Sequence, residues 1–357
     1  MSSVVTTAVV VPESIDAPNA QDMFDIATLR NEQLARLLGS DEYAMTPAQV
    51  LAAWQDDADE RTHGRLRRAD RRLVASASVG LPRQPGTTIA YGNIRTRAAD
   101  AGQGHGSALA EEIERIARDD GRTVMQGWSE HGPEGKERHA ARTGHGSVPL
   151  DDTARFLLGR GYTLEQVYRN SVLTAETARA RIPALLDEAL PHTEGYVFES
   201  WEMPTPPEHL AGVAYIRNRM STDAPSGDAE TEEEQWDAER EARHEQVALD
   251  SGYRSIFGVM RHAESGAIAA LNELFLDPAH PSVTHQEYTL VLSEHRGRRL
   301  GMAVKCLTLL EWLELVPETE RIETYNAEEN RPMLAINEAM GFTPLRYSGM
   351  WQKKLVP

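Results

Sequence analysis

The chain has a single cysteine, Cys306, in 357 residues. One thiol forms no internal disulfide and supplies too few sulfur ligands for a multi-cysteine zinc site. Long apolar runs are missing too. None approaches the ~18 residues that cross a bilayer. The start, MSSVVTTAVVVPESIDAP, has no Lys or Arg ahead of its short apolar stretch, so no secretory signal is read there. Positive charge is scarce: 37 Lys plus Arg stand against 55 Asp plus Glu, a formal net charge of −18. Such a surface repels phosphate backbones and anionic lipid, which removes nucleic acid and membrane as default partners. The expectation is a cytoplasmic protein with no metal centre. What is present is ordinary for a globular chain, 40% hydrophobic and 26% charged residues. Its length suits two domains of roughly 150 residues.

The chain repeats itself. A Gly-rich turn opening a helix occurs at Ala101–Gly121 (AGQGHGSALAEEIERIARDDG) and again at His295–Glu314 (HRGRRLGMAVKCLTLLEWLE). Strand-like runs precede the turns at Thr87–Thr96 and Gln286–Leu292, and others follow at Arg122–Trp128 and Arg321–Asn326. Each unit closes with a helix ending in Gly plus an aromatic, Gly161-Tyr162 and Gly341-Phe342. Gly106 and Gly301 are 195 positions apart, and Gly161 and Gly341 are 180 apart. The 15-residue difference falls in Ser129–Leu150, polar and Gly-rich, which reads as an inserted loop. Its histidines His131, His139 and His145 lack the i, i+4 spacing of a zinc helix and read as solvent-exposed.

Helical material lies ahead of each unit. Asp22–Gly39 has apolar residues at helical spacing and a Gly stop, and Met45–Glu60 opens with Thr46 as N-cap and Pro47 behind it. Pro206–Met220 and the acidic Thr231–Gln246 take the same places in the second half, with Ser221–Asp228 a loop between them. Paired strands then follow, around Ala69-Asp70 within Gly64–Leu81 and around Glu264-Ser265-Gly266 within Tyr253–Leu276. The two halves join near Ala180–Pro191, giving an N-terminal domain 1–182 and a C-terminal domain 183–357.

A strand running through a Gly-rich turn into a helix N-terminus aims several backbone N–H groups at one spot, where the helix dipole adds positive potential. Such a spot suits a phosphate or pyrophosphate. A nucleotide-redox turn fits less well, because the motif comes late in its unit, and no Gly-Lys-Ser/Thr is present for a P-loop. Cys306 sits at helical spacing among Val304, Leu307 and Leu310 and reads as core.

The second half resembles the GNAT superfamily of acyl-CoA-dependent N-acyltransferases. Their turn runs Arg/Gln-x-x-Gly-x-Gly/Ala after the fourth strand, and Arg296-Gly297-Arg298-Arg299-Leu300-Gly301 matches it except that Arg299 replaces the middle glycine. A second family signature, Asn, an apolar helix and Gly-Phe, is met by Asn330 to Phe342. The two motifs span 47 residues, and NAEENRPMLAINEAMGF resembles actinobacterial proteins with two GNAT domains in tandem. In the first half the frame reads Ala101-Gly102-Gln103-Gly104-His105-Gly106, with Ala101 in the place of the leading Arg/Gln.

The resemblance implies an α/β fold with two GNAT-like domains, each a mixed, mainly antiparallel sheet flanked by helices. It implies acetyl-CoA or another acyl-CoA as co-substrate and direct attack by an amine on the thioester. Backbone N–H groups around Leu290, Val291 and Leu292 would hold the acyl carbonyl. Those of Arg298, Arg299, Leu300, Gly301, Met302 and Ala303 would hold the pyrophosphate, beside Arg296, Gly297 and Asn330. In the degenerate first half Gly104 and Gly106 keep part of such a site.

Glu287 stands where several family members place a carboxylate base, on one face with Thr289 and Val291 by alternation; His285, two positions earlier on that face, is the alternative base. The usual Tyr proton donor, seven residues past Asn330, is replaced by Asn337, whose amide can hydrogen-bond the sulfur but not protonate it; either Tyr325 or Tyr288, or water, protonates the thiolate, or the thiolate leaves without a dedicated acid. Asp223 and Asp228, in the loop before the acidic helix, are candidates for attracting a small cationic amine as acceptor. Alternatives kept open are a binding protein without turnover and transfer to a non-amine acceptor, in a monomer or homodimer.

Overall fold

The structure is a computed structural model, and it describes residues 3–132, 135–223, 227 and 229–355. Two compact units divide the chain, and their boundaries are not a single cut. The first holds Met1–Gln166, Asp228–Glu230 and Ser348–Pro357; the second holds Val167–Gly227 and Thr231–Tyr347.

In chain order the first unit begins with β1 (Val4–Ala8), α1 (Gln21–Leu38), α2 (Pro47–Gln55), β2 (Glu60–Ala69), β3 (Arg72–Pro82) and β4 (Ile89–Thr96). It continues with α3 (His105–Asp119), β5 (Val124–His131), β6 (Arg138–Ala140), β7 (Ser147–Pro149) and α4 (Asp152–Gly159). Strand β8 (Thr163–Thr174) crosses the boundary between the units. The second unit continues with α5 (Ala175–Ala189), β9 (Tyr196–Glu202), α6 (Pro207–Asp223), α7 (Ala238–Asp250), β10 (Arg254–His262), β11 (Ile268–Leu276) and β12 (Val283–Val291). After these come α8 (Leu300–Leu315), β13 (Arg321–Ala327), α9 (Arg331–Met340) and β14 (Thr343–Lys354), whose residues from Ser348 onward belong to the first unit.

Both units carry the same mixed sheet. In the first, β1 to β4 pair antiparallel in sequence order and β4 then pairs β5 in parallel. In the second, β9 to β12 do the same and β12 pairs β13 in parallel, with β8 antiparallel on the far side of β13. A parallel pair needs a crossover, and α3 and α8 supply it, which is why each follows its Gly-rich turn.

Local chemistry explains the boundaries. The Thr46 hydroxyl accepts from the Gln49 N–H while the Gln49 side chain accepts from the Thr46 N–H, a complete capping box with Pro47 behind it. The turn between β2 and β3 holds Asp70 (φ 48°) and Arg71 (φ 72°), both left-handed, as a two-residue hairpin turn requires. Met23, Leu29, Val50, Leu51, Leu66 and Leu73 form a core under α1 and α2. In the second unit Ile256, Leu274, Leu309, Trp312 and Ile322 pack α8 on one face of the sheet, and Val213, Ile216, Phe257, Leu271 and Leu290 pack α6 on the other. Cys306 lies in the α8 core, buried.

Several expectations are corrected. The stretch Ala180–Pro191, where the halves are expected to join, forms the second half of α5 and the start of a short 3-10 turn, Leu190–His192. The contacts divide the chain inside β8 and β14 instead of at 182/183, because a strand goes with the backbone it ladders to, and that partner is distant in sequence. Ser129–Leu150 is not one loop. β5 runs on through His131, and β6 and β7 form a small hairpin. Of Thr231–Gln246, only the part from Ala238 is helical, started by the Asp237 side chain accepting from the Arg240 N–H. Asp223 ends α6 and is not in a loop.

Candidate functional site

The parallel ladder between β12 and β13 is short. It runs from Val283↔Arg321 to Gln286↔Thr324 and stops, while β12 continues to Val291 and β13 to Ala327. The two strands therefore fork. Glu287 and Tyr325 are the first residues past the fork, one on each arm. The first unit forks at the matching place, its ladder ending at Tyr91↔Gln126. Tyr91 lies 195 positions before Gln286, the offset of the glycine turns.

On β12 the arm bears a bulge. Asn272 pairs with Thr289 but Leu274 pairs with Gln286, so three steps on β12 match two on β11. The bulge breaks simple alternation. Thr289 is buried and donates to Asn272 Oδ1 at 2.8 Å, while Gln286 Nε2 donates to Thr289 Oγ1 at 3.1 Å. Glu287 is solvent-exposed, so the expectation that it shares a face with Thr289 fails. Burial nonetheless holds the Glu287 carboxyl above the usual carboxylate range, opposed by Arg217. His285 pairs with Glu323 on the closed part of the ladder, and burial lowers its pKa first of all.

Under the same arm lies a charged group that sequence reasoning missed. Arg217 of α6 is buried and bonds Glu241 Oε2 at 2.6 Å and Oε1 at 3.0 Å. It also reaches Glu273 Oε2 at 3.3 Å and stacks 4.4 Å from the Tyr288 ring centroid. Burial raises the Glu273 carboxyl, with Arg217 pulling the other way. The only cue in the sequence was an arginine set among Val213, Ala214 and Ile216 in a helix otherwise apolar on that side.

On the other arm, Tyr325 is exposed and its hydroxyl accepts from Arg346 Nη2 at 2.9 Å. Asn337 is elsewhere in character. It is only 1% exposed, and its Nδ2 donates to Asn326 Oδ1 at 2.6 Å, leaving Oδ1 buried without a partner. Asn330 caps α9, its Oδ1 accepting from the Met333 N–H at 3.3 Å.

The glycine turn holds its shape in both units. Gly297 (φ 80°) and Arg299 (φ 52°) are left-handed, as are Gly102 (φ 76°) and Gly104 (φ 81°), and each second residue is the N-cap of its helix. Arg299 thus keeps a backbone conformation that glycine adopts without strain. At the last glycine of each turn the helix meets the strand: a Cβ on Gly301 would lie 3.4 Å from Val291 Cγ2, and one on Gly106 3.3 Å from Thr96 Oγ1.

The expected N–H donors divide. Leu292 N–H donates to Ala269 O at 3.0 Å, so by alternation Leu290 also faces β11 and Val291 alone faces the fork. Ala303 N–H donates to Arg299 O at 3.0 Å inside the helix, which leaves the N–H groups of Leu300, Gly301 and Met302 in the orphan first turn of α8.

Arg296 Nε donates to Val291 O at 3.1 Å and its Nη2 to Asp223 Oδ2 at 3.1 Å; Arg219 also bonds Asp223. Asp223 is therefore already held by two guanidinium groups. Arg298 lies 5.7 Å over the Tyr196 ring, and Arg299 Nη1 lies 3.6 Å from Glu188 Oε2. Asp228 lies outside the described residues. Among the described residues there is no cluster of three potential metal ligands and no helix long and apolar enough to cross a membrane.

No protein-family model matches the chain, and no curated protein is similar to it in sequence. Solved structures are similar in fold. A tandem GNAT protein from the clavulanic acid biosynthesis pathway, solved without AcCoA, superposes at TM-score 0.74 with 20% identity, covering 99% of each chain. A GCN5-related N-acetyltransferase from Sphaerobacter thermophilus superposes at 0.62 with 16% identity, covering 99% of this chain and 96% of that one. With forked sheets and left-handed turns at matching places in both halves, the chain has the tandem GNAT fold.

Proposed function

We propose that the second unit transfers an acyl group, in the simplest case acetyl, from acyl-CoA to a primary amine of a small molecule. One observation carries the reading: Glu287 and Tyr325 flank the fork, below a turn whose left-handed backbone is kept even where Arg299 replaces glycine. The CoA pyrophosphate would lie on the first-turn N–H groups of α8, with Arg296, Arg298 and Arg299 adding charge. The Val291 N–H would hold the acyl carbonyl. Glu287 accepts a proton from the attacking ammonium, a task its raised pKa suits. Tyr325, not Asn337, gives the proton to the leaving thiolate, because the Asn337 amide is buried and engaged with Asn326 while Tyr325 is exposed. The Arg346 guanidinium against its oxygen stabilises the phenolate left behind.

The acceptor is drawn by the carboxylates Glu273 and Glu287, which Arg217 only partly offsets. Asp223 serves the Arg296 turn instead. In the first unit Ala101 stands in the place of Arg296, so that unit lacks the equivalent brace. The test is thiol release from acetyl-CoA across polyamines, amino sugars and amino acids, with Glu287→Gln beside the wild type and calorimetry for acetyl-CoA. Amine-dependent release that falls in the variant supports the reading. Binding without release from any amine turns it toward a binding protein or another acceptor, and absence of binding ends it.

A further inference from the structure

Ser129 and His131, which the sequence places in an exposed loop, belong to a hydrogen-bonded chain inside the first unit. They are two positions apart on β5, so both side chains leave one face. Ser129 Oγ is 2.6 Å from His131 Nε2, and His131 Nδ1 is 2.8 Å from Asp151 Oδ2. Asp151 is fixed by the helix it starts, because its Oδ1 accepts from the Ala154 N–H at 2.9 Å. Burial pushes its carboxyl up, but the bonds from His131 and the backbone outweigh this and hold it below the usual range.

The protons follow from the donors available. An ionised carboxylate only accepts, so His131 Nδ1 carries its hydrogen; in the neutral imidazole Nε2 is then the acceptor and the Ser129 hydroxyl donates to it. Trp351 Nε1 donates to Ser129 Oγ at 2.7 Å from the other side. His131 is fully buried, and Ser129 keeps 8% of its surface exposed. Serine, base and orienting carboxylate in this order, with this tautomer, are the parts of an activated nucleophile.

The place fits as well. Ser129 lies three residues past the last β4–β5 ladder pair, on the arm of β5 that has left β4. On β4, the Arg97 N–H donates to Val74 O at 2.8 Å, so by alternation the N–H groups of Ile94 and Thr96 face away from β3 toward that arm. In a reaction at Ser129 they would be the donors for an oxygen that gains negative charge.

We propose that Ser129 is a nucleophile and that the first unit cleaves activated acyl esters or thioesters, an activity separate from amine acylation in the second unit. Ser129 Oγ bonds to the acyl carbon as its proton passes to His131 Nε2. The carbon–sulfur or carbon–oxygen bond then breaks, and the leaving group departs with that proton. Water attacks the acyl-serine, gives its proton to His131, and His131 returns one to Ser129 Oγ as the carboxylic acid leaves.

The experiment uses the full chain with a fluorophosphonate probe, maps the adduct by peptide mass, and follows p-nitrophenyl acetate hydrolysis. The expected result is an adduct on Ser129 in the wild type and none in Ser129→Ala. Asp151→Asn keeps a good helix cap but loses the charge that sets the His131 tautomer, so labelling and ester hydrolysis should fall by at least about 10²-fold. Amine-dependent thiol release should be unchanged in Asp151→Asn. Two outcomes overturn the proposal: a folded wild type with no adduct on Ser129, or Asp151→Asn labelling at the wild-type rate. Either would make Ser129 only a packing partner of Trp351.

Discussion

Arg296 bridges two elements of the second unit, its Nη2 donating to Asp223 Oδ2 at 3.1 Å while its Nε holds Val291 O. An acidic residue at the end of α6 is therefore tied electrostatically to the Arg296 turn, and under the proposed function it serves that turn and not the acceptor. Asp223→Asn removes a negative charge beside the turn and keeps an acceptor oxygen. Acetyl-CoA should bind about threefold tighter at low salt, an effect that fades as salt screens it. The KM for the amine should stay within about twofold. A tenfold rise in amine KM, measured in steady-state assays, would return Asp223 to the acceptor.

If the proposed reaction holds, Glu287 sets its pH dependence. A base works deprotonated, and burial raises the pKa of this one. So kcat/KM should climb with pH through a midpoint above the ordinary glutamate value of about 4.3. Glu287→Gln should cost about 10²-fold in kcat and abolish that limb. A pH profile unchanged in the variant would assign the limb to another group, His285 first among them.

Arg299 stores backbone strain at φ 52°. Arg299→Gly should relieve it and raise the melting temperature by about 2 °C. The lost guanidinium should weaken acetyl-CoA binding several-fold, most visibly at low salt. Gly297→Ala, at φ 80°, should instead lower the melting temperature, since a Cβ is disfavoured there. A calorimetric scan of the two variants gives opposite signs if the turn is as described.

Lys305 is buried on α8 with no hydrogen-bond partner for its Nζ, which lies 5.7 Å from the Phe342 ring centroid, and burial pulls its pKa down to about 7. The folded state thus releases a proton that the unfolded state keeps until about 10.4. Stability should rise with pH between these values, and the full cost of the buried cation is present below pH 7. Lys305→Met should raise the melting temperature by roughly 5 °C at neutral pH and flatten that rise. Ala110, 195 positions earlier, holds the corresponding place in the first unit. Parallel melting curves of variant and wild type from pH 7 to 10 would expose a lysine that is in fact solvated.

What was legible in the sequence was local. The hairpins at Asp70 and Glu264–Gly266, the Thr46 cap and the two glycine turns all rest on residues within a few positions of one another, so spacing and turn chemistry reveal them. Period-two alternation on β12 misled at Glu287, because a bulge is fixed by the partner strand and leaves no mark in the strand itself. His131 was misread for a related reason: polar composition marked a loop, while its burial depends on Asp151 and on Trp351 from far down the chain. Arg217 was marked only by its place among apolar residues of α6, because its partners, Glu241 and Glu273, come from two other elements.

The assignment of Ser348–Pro357 to the first unit has a consequence for how the molecule is made. Leu355 N–H donates to Thr123 O at 2.7 Å, and Lys353 Nζ binds Glu114 Oε2 at 2.8 Å, contacts that join residues over two hundred positions apart. The half that leaves the ribosome first is the half completed last. It waits, with β5 missing a neighbour, until the whole of the other unit has been synthesised. Closing so long a loop is slow, so an exposed strand edge persists through most of translation, and β5 is the segment most in need of protection while the chain is still growing.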